Sequence, residues 1–294
     1  MLSVGIDLGG TKTNFGLLEI RKEKFKILKQ TTISSPHKKE ELVQAVRENI
    51  KKIIVPGVKK IGLAQAGIID INQKINLLSP NLKALEHIDF ARLLQKEFKI
   101  RIFLDNDTNA FILAEATYGA CRDKKKAVGL TLGTGIGGGL VIDGKLYHGI
   151  CTSATEFGHM IIDYNGRKCS CGQKGCLEAY ASATAIIQEY ENRTGFRRDA
   201  YAIEEEAKSG LEPAQSIFTE ASNYLAVGLA NIINILEPET IVLGGGLSEV
   251  ANFVDLAIHN TKKFTLKGLG ECVKIVKAKL GREAGMIGAA LLDR

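Results

Sequence analysis

The chain has 294 residues, 45% of them hydrophobic and 24% charged, which is ordinary for a globular protein with room for about two domains. Its net charge of +6 is scattered among acids, and runs such as Lys51-Lys52 and Lys124-Lys125-Lys126 are short solvated faces, so a nucleic-acid partner is not expected. No apolar run approaches a membrane span and no basic start leads into an export segment, so the expected setting is cytoplasmic, with no membrane. In chain order, residues 1–20 read as a strand pair, and Leu42, Val46, Ile50 and Ile53 recur at helical intervals across 40–54. Ile61-Gly62-Leu63-Ala64 reads as a short strand entering a loop at Gly67, and 90–98 as a helix. Ile102-Phe103-Leu104 reads as a buried strand ending in Asp105-Asn106-Asp107, followed by a helix over 108–118. Polar 121–126 is a plausible hinge. Beyond it come a strand at 128, helices over 181–192, 201–210 and 213–236, strands at 241–243 and 273–276, and a small-residue helix over 284–292.

Two stretches nearly repeat each other. Val4-Gly5-Ile6-Asp7-Leu8-Gly9-Gly10-Thr11-Lys12-Thr13 and Val128-Gly129-Leu130-Thr131-Leu132-Gly133-Thr134-Gly135 both read as strand, glycine turn, strand. Glycine lets backbone N–H groups close around an oxyanion because no Cβ blocks the approach. One such turn is more often an ordinary hairpin. Two of similar wording, one carrying Asp7 and Lys12 and the other Thr134, favour phosphate binding. Residues 133–138 literally match G-x-G-x-x-G, but the dinucleotide motif needs a helix after the turn, and Leu140-Val141-Ile142 reads as strand. No P-loop and no protein-kinase motif set occurs.

Cys169, Cys171 and Cys176 lie within eight residues, with His159 upstream in the spacing H-x9-C-x-C-x4-C. In a chain without an export signal such a set is more often a metal site than a disulfide knot, and three thiolates with one imidazole suit a closed structural zinc site. A redox role or an iron–sulfur cluster is the lesser reading, because clusters usually take four cysteines. Cys121, Cys151 and Cys272 are isolated and read as ordinary buried or half-buried thiols.

Asp7-Leu8-Gly9-Gly10-Thr11-Lys12, Leu132-Gly133-Thr134-Gly135 and Val242-Leu243-Gly244-Gly245-Gly246 resemble the two phosphate motifs and the adenosine motif of the actin, hexokinase and Hsp70 superfamily. The resemblance to the ROK family of repressors and sugar kinases is closer. It rests on Asn106-Asp107-Thr108-Asn109-Ala110, Glu156-Phe157-Gly158-His159 and the segment from Cys169 to Glu178, in family order and spacing. It implies an α/β chain with the two-lobed actin-like ATPase (ribonuclease H-like) fold and a ligand cleft between the lobes. The first lobe would be 1–120 with 282–294, and the second 121–281 with a zinc-binding loop. It further implies an ATP-dependent hexose kinase of glucokinase type acting on a 6-hydroxyl, with ATP, Mg2+ and structural Zn2+, and a homodimer.

By that resemblance Asp107 is the general base. Asp105 or Asp107 could instead simply cap the helix, whose positive N-terminus favours a charged carboxylate. Asp7 would hold Mg2+. Gly9, Gly10, Thr11, Lys12, Gly133, Thr134 and Gly135 would bind phosphates, with Gly245 and Gly246 at the nucleoside. Gly67, Asn81, Asn106, Asp107, Glu156, His159 and Glu178 would meet the sugar, and His159, Cys169, Cys171 and Cys176 the zinc. Two departures touch the sugar pocket: Ser153-Ala154-Thr155 replaces a Gly-Ala-Gly-like stretch, and Gln65-Ala66-Gly67 lacks an expected proline. They leave glucose, N-acetylmannosamine, N-acetylglucosamine and fructose open as substrates. Repressor members carry an N-terminal helix-turn-helix region, which a phosphate motif starting so early leaves no room for. ATPases that drive a partner need none of the sugar carboxylates.

Overall fold

The structure, a computed structural model, describes residues 1–79 and 82–293, with backbone only at Ala251. The chain parts into two units, 1–125 with 139–155 and 279–294, and 126–138 with 156–278. Relative to the division expected above, the stretches 121–125, 139–155 and 279–281 go with the first unit.

In the first unit β1 (Leu2–Leu8) and β2 (Lys12–Ile20) form an antiparallel hairpin extended by β3 (Phe25–Ser34). Helix α1 (Lys39–Ile53) follows, then β4 (Val58–Gln65) parallel to β1. The short strands β5 (Ile68–Asp70) and β6 (Ile75–Leu78) make a separate ribbon. Helix α2 (Phe90–Phe98) leads to β7 (Arg101–Asn106), parallel to β4, and then α3 (Asp107–Tyr118). The sheet order is β3-β2-β1-β4-β7. Strands β3, β5 and β6 were not legible in the sequence; the half-exposed, Lys- and Thr-rich β3 lacks a clear apolar face. Helix α1 turns Leu42, Val46, Ile50 and Ile53 into one apolar core with Phe15, Leu17, Ile61 and Leu63, where each fully buried aliphatic side chain contributes about 1.5–3 kcal/mol.

The second unit opens with β8 (Lys126–Leu132), and β9 (Ile136–Ile142) lies beside it and carries the chain back to the first unit, where its end pairs with β10 (Lys145–Leu146). Back in the second unit, α4 (Glu178–Ala181), α5 (Ala183–Thr194), α6 (Ala200–Lys208) and the 23-residue α7 (Ala214–Leu236) precede β11 (Thr240–Gly244). Helices α8 (Ala251–Thr261) and α9 (Leu269–Cys272) lead to β12 (Lys274–Lys277), and β8, β11 and β12 run parallel in that order. Phe218 of α7 meets Phe253 of α8 edge-on at 6.1 Å.

The chain ends in the first unit with α10 (Ala284–Leu291), whose small residues allow backbone contact: a Cβ on Gly62 would stand 1.7 Å from the Ala289 carbonyl. Lys60 of β4 donates to the Leu291 and Leu292 carbonyls at 2.8 and 2.5 Å, closing the helix end. Among the described residues no helix is long and apolar enough to cross a membrane.

Candidate active site

The first glycine turn, Gly9-Gly10-Thr11, is the bend of the β1–β2 hairpin, and Gly9 N–H bonds the Lys12 carbonyl at 3.1 Å. Ser35 braces it, donating its hydroxyl to the Gly9 carbonyl at 2.6 Å and its N–H to the Thr11 carbonyl at 2.9 Å. Thr11 and Lys12 are exposed, free to meet a solute. Asp7, half-buried at the end of β1, pairs across the hairpin with Asn14, whose amide donates to it at 3.3 Å while accepting from the Thr32 hydroxyl at 2.9 Å. Burial first, then the nearby Asp107 carboxylate, push Asp7 up to about 7, against the pull of Asn14.

Asp107 is the first residue of α3, and the cap is neither of the acids considered above. Asn106 caps the helix: its amide oxygen accepts from the N–H groups of Thr108 and Asn109 at 2.7 and 3.2 Å, and its amide donates to the Gly67 carbonyl at 2.9 Å. Asp107 accepts from the Thr108 N–H at 2.8 Å. Its carboxyl nevertheless sits above the usual carboxylate range, because burial outweighs the Thr108 hydrogen bonds. The helix N-terminus was expected to favour the charged form; desolvation wins instead. Gly67 holds φ +117°, and a Cβ there would lie 2.3 Å from the Leu78 carbonyl, so this turn requires glycine. Asn81 lies outside the described residues.

The push of the Asp107 carboxylate on Asp7 predicts a pH signature. Replacing Asp107 with Asn removes one upward push, so Asp7 should titrate at lower pH in that variant, read by carboxyl-carbon NMR; an unmoved Asp7 would deny the coupling. The unfolded chain releases this proton near pH 4, the folded protein near 7. Between the two the folded state holds more protons, so this group's contribution to stability is complete below about pH 4 and is lost as pH rises through 7.

In the second unit, Gly133-Thr134-Gly135 bends between β8 and β9, with Gly133 N–H on the Gly135 carbonyl at 2.9 Å. The start of α5 clamps it from outside: Ala183 N–H reaches the Gly133 carbonyl at 2.9 Å and the Thr184 hydroxyl the Thr134 carbonyl at 2.7 Å. Glu178 adds a third brace, accepting from the Ile136 N–H at 2.9 Å and, on its other oxygen, from the Ser170 hydroxyl at 3.1 Å. Gly245, at φ +86°, follows β11 and packs on the end of β8; a Cβ would stand 2.3 Å from the Leu132 carbonyl. Gly246 opens the 3-10 turn that leads to α8.

Glu156 precedes a 3-10 turn, Phe157–His159, where residues three apart share a face, so exposed Glu156 and half-buried His159 lie on the same side. The His159, Cys169, Cys171 and Cys176 ligand atoms all lie within 4.8 Å of one another. His159 Nδ1 is 3.7 Å from Cys169 Sγ, and Cys171 Sγ is 3.7 Å from Cys176 Sγ. A tetrahedron with Zn–S near 2.3 Å has edges of about 3.8 Å, so the donor set fits a zinc ion. Nδ1 faces the sulfurs, leaving Nε2 for another partner. The loop carrying them is riveted in place: the Tyr180 hydroxyl donates to Asp163 at 3.0 Å and accepts from the Arg167 N–H at 2.8 Å, with the Arg167 guanidinium 4.8 Å over its ring.

Sequence reading missed several polar residues. Asn14 could have been found as the polar residue opposite Asp7 in the hairpin. Buried Asp105 contacts His148 at 2.7 Å, and only its place beside Asn106 hinted at a role. Of the isolated cysteines, Cys121 is buried, but Cys151 and Cys272 are exposed rather than buried, because they stand outside the core-facing elements.

The ROK family model matches residues 3–294. A glucokinase of Thermotoga maritima is 32% identical, over 98% of this chain and 95% of its own. An N-acetyl-D-glucosamine kinase of Vibrio cholerae is 33% identical, over 98% of each. The crystal structure of a ROK family glucokinase from Streptomyces griseus in complex with glucose and AMPPNP matches with a TM-score of 0.86 at 28% identity, over 100% of this chain and 99% of that one. With a match along nearly its whole length, the chain belongs to the ROK family.

Proposed function

We propose that the protein is an ATP-dependent hexose kinase that transfers the terminal phosphoryl group of MgATP to the 6-hydroxyl of a hexose, glucose first among candidates. The observation that carries this reading is the pair of half-buried carboxylates Asp7 and Asp107, both raised by burial and the first also by the second, beside a glycine turn in the unit that also holds Gly67 and Asn106. The glucokinase relatives support it, one of them holding glucose and a nucleotide analogue.

Asp107 accepts the hydroxyl proton as the new O–P bond forms and the bond to the ADP oxygen breaks. A carboxylate raised above its ordinary range is a better proton acceptor near neutral pH than a fully solvated one. Phosphoryl transfer otherwise asks for positioning and charge neutralisation. The backbone N–H groups of Gly9, Gly10, Thr11, Gly133, Thr134 and Gly135 serve the phosphates, with Lys12 as the cation. Gly245 and Gly246 serve the nucleoside. Asp7 holds Mg2+, which supplies charge neutralisation when bound; two close carboxylates in a poorly solvated setting fit a divalent cation. Asn106 has a second amide N–H beyond the one given to Gly67, and Glu156, His159 Nε2 and Glu178 offer acceptors for ring hydroxyls. His159, Cys169, Cys171 and Cys176 hold Zn2+ as a structural ion, which fixes the histidine and the backbone leading to Glu178.

A panel of glucose, fructose, N-acetylglucosamine and N-acetylmannosamine with MgATP, read by ADP release, tests this. Release that depends on one of these sugars is expected, with glucose the first candidate; preference for an N-acetylhexosamine would keep the reaction and move the substrate. Release equal with and without sugar would refute the reading.

A further inference from the structure

Asp105 is 4% exposed, so its carboxylate must be paid in hydrogen bonds. One oxygen accepts from the Asn106 N–H at 2.7 Å and from the Asn109 amide at 2.8 Å. The other meets His148 Nε2 at 2.7 Å. Asn106 and Asn109 flank Asp107 in sequence, one as helix cap and one in the first turn. A single buried carboxylate therefore grips both sides of the residue assigned as base, and His148 supplies its outermost partner.

The segment carrying His148 is itself anchored within the first unit. Tyr147 N–H bonds the Leu140 carbonyl at 2.8 Å, and the Ala154 N–H bonds the His148 carbonyl at 3.1 Å. The Thr152 hydroxyl donates to the Ile69 carbonyl at 3.1 Å and accepts from the Ile71 N–H at 3.2 Å, near the Gly67 turn. Strand β9 runs hard against α3: a Cβ on Gly139 would lie 3.0 Å from the Thr108 carbonyl. The imidazole is thus held where it is by covalent and hydrogen-bonded neighbours, and its side chain is 9% exposed.

We propose that His148 is a positioning residue for phosphoryl transfer, acting through Asp105 to fix the first turn of α3 and with it the Asp107 carboxylate. This rests on the hexose-kinase reading. The carboxylate partner sets the proton on Nε2, so the imidazole donates and Asp105 accepts. Without that donor, Asp105 keeps its burial but loses a partner, and it turns toward another or draws in water. The cap and first turn follow. A displacement of order 1 Å in a reacting group costs about 100-fold in rate, and the sugar contact of Asn106 loosens with it, whereas nucleotide affinity, set by other residues, stays.

The test compares His148→Gln, His148→Asn and His148→Leu with the parent, each shown folded by near-UV circular dichroism. Glutamine can place an amide N–H where Nε2 stands; asparagine carries the same group one methylene short. Glutamine should keep kcat within about threefold, while asparagine and leucine lose about 10–100-fold in kcat with the nucleotide KM within about threefold. Equal kcat for glutamine and asparagine, or losses confined to KM, overturns the proposal. If leucine does not fold, the glutamine–asparagine pair decides alone. A parent with no sugar-dependent turnover overturns the kinase reading and the proposal with it; an active parent with indifferent variants overturns the proposal only.

Discussion

Asp107→Asn should lower kcat by roughly 10²–10⁴-fold, the range for losing a positioned general base, while both KM values stay within a few-fold. Asparagine keeps the size of the side chain and an oxygen that can still accept from the Thr108 N–H, so the first turn of α3 keeps its geometry. What goes is the ability to take a proton. The cap belongs to Asn106, so the substitution does not unpick the helix start. An interaction made only as the proton moves is lost equally from kcat and kcat/KM, which is the pattern to look for. Steady-state kinetics at saturating MgATP across a hexose titration gives both parameters. A variant with parental kcat would remove Asp107 from the chemistry; one with raised sugar KM and unchanged kcat would make it a binding residue.

Cys176→Ser should strip the zinc proposed for the Cys/His set and raise the sugar KM, since even changes around the ligands of a metal cost about 10–100-fold in metal affinity or activity. Cys176 is fully buried, 3.7 Å from Cys171 Sγ, so no outside group can substitute for it. The effect on sugar follows from the chain's layout. His159 would be fixed through Nδ1, and Glu178 lies two residues beyond Cys176 at the start of α4. Loosening that backbone frees the carboxylate that also braces Ile136 beside the second glycine turn, so the nucleotide KM should rise as well, by a smaller factor. Elemental analysis should find one zinc per parent chain and little in the variant, and strong chelators should reproduce the kinetic change. Parental KM values in a zinc-free variant would sever the metal from the sugar site.

What the sequence disclosed, and what it hid, follows from the range of the interactions. The two glycine turns were legible because strand, turn and strand are local, and the backbone bonds of Gly9 and Gly133 close within three residues. The Cys/His set proposed to hold zinc was legible because its members are close in the chain, and the structure gathers all four. Helix α7 was legible from its length and apolar periodicity, whereas β3 presents no clean alternation to read. The partners that tune the carboxylates were hidden. Asn14 is seven residues from Asp7 and His148 forty-three from Asp105, so only the folded sheet and the return of β9 bring them together. The direction in which Asp107 shifts was also hidden, since burial competes with helix-end hydrogen bonds and only the fold sets the balance.

Counting products from one mixture goes straight to the core of this account: purified protein, Mg2+, ATP and glucose, with ADP and sugar phosphate quantified together by ³¹P NMR. The account predicts one hexose 6-phosphate for each ADP, and negligible ADP when every hexose is left out. ADP accumulating without a matching sugar phosphate, or at the same pace in the absence of sugar, contradicts it.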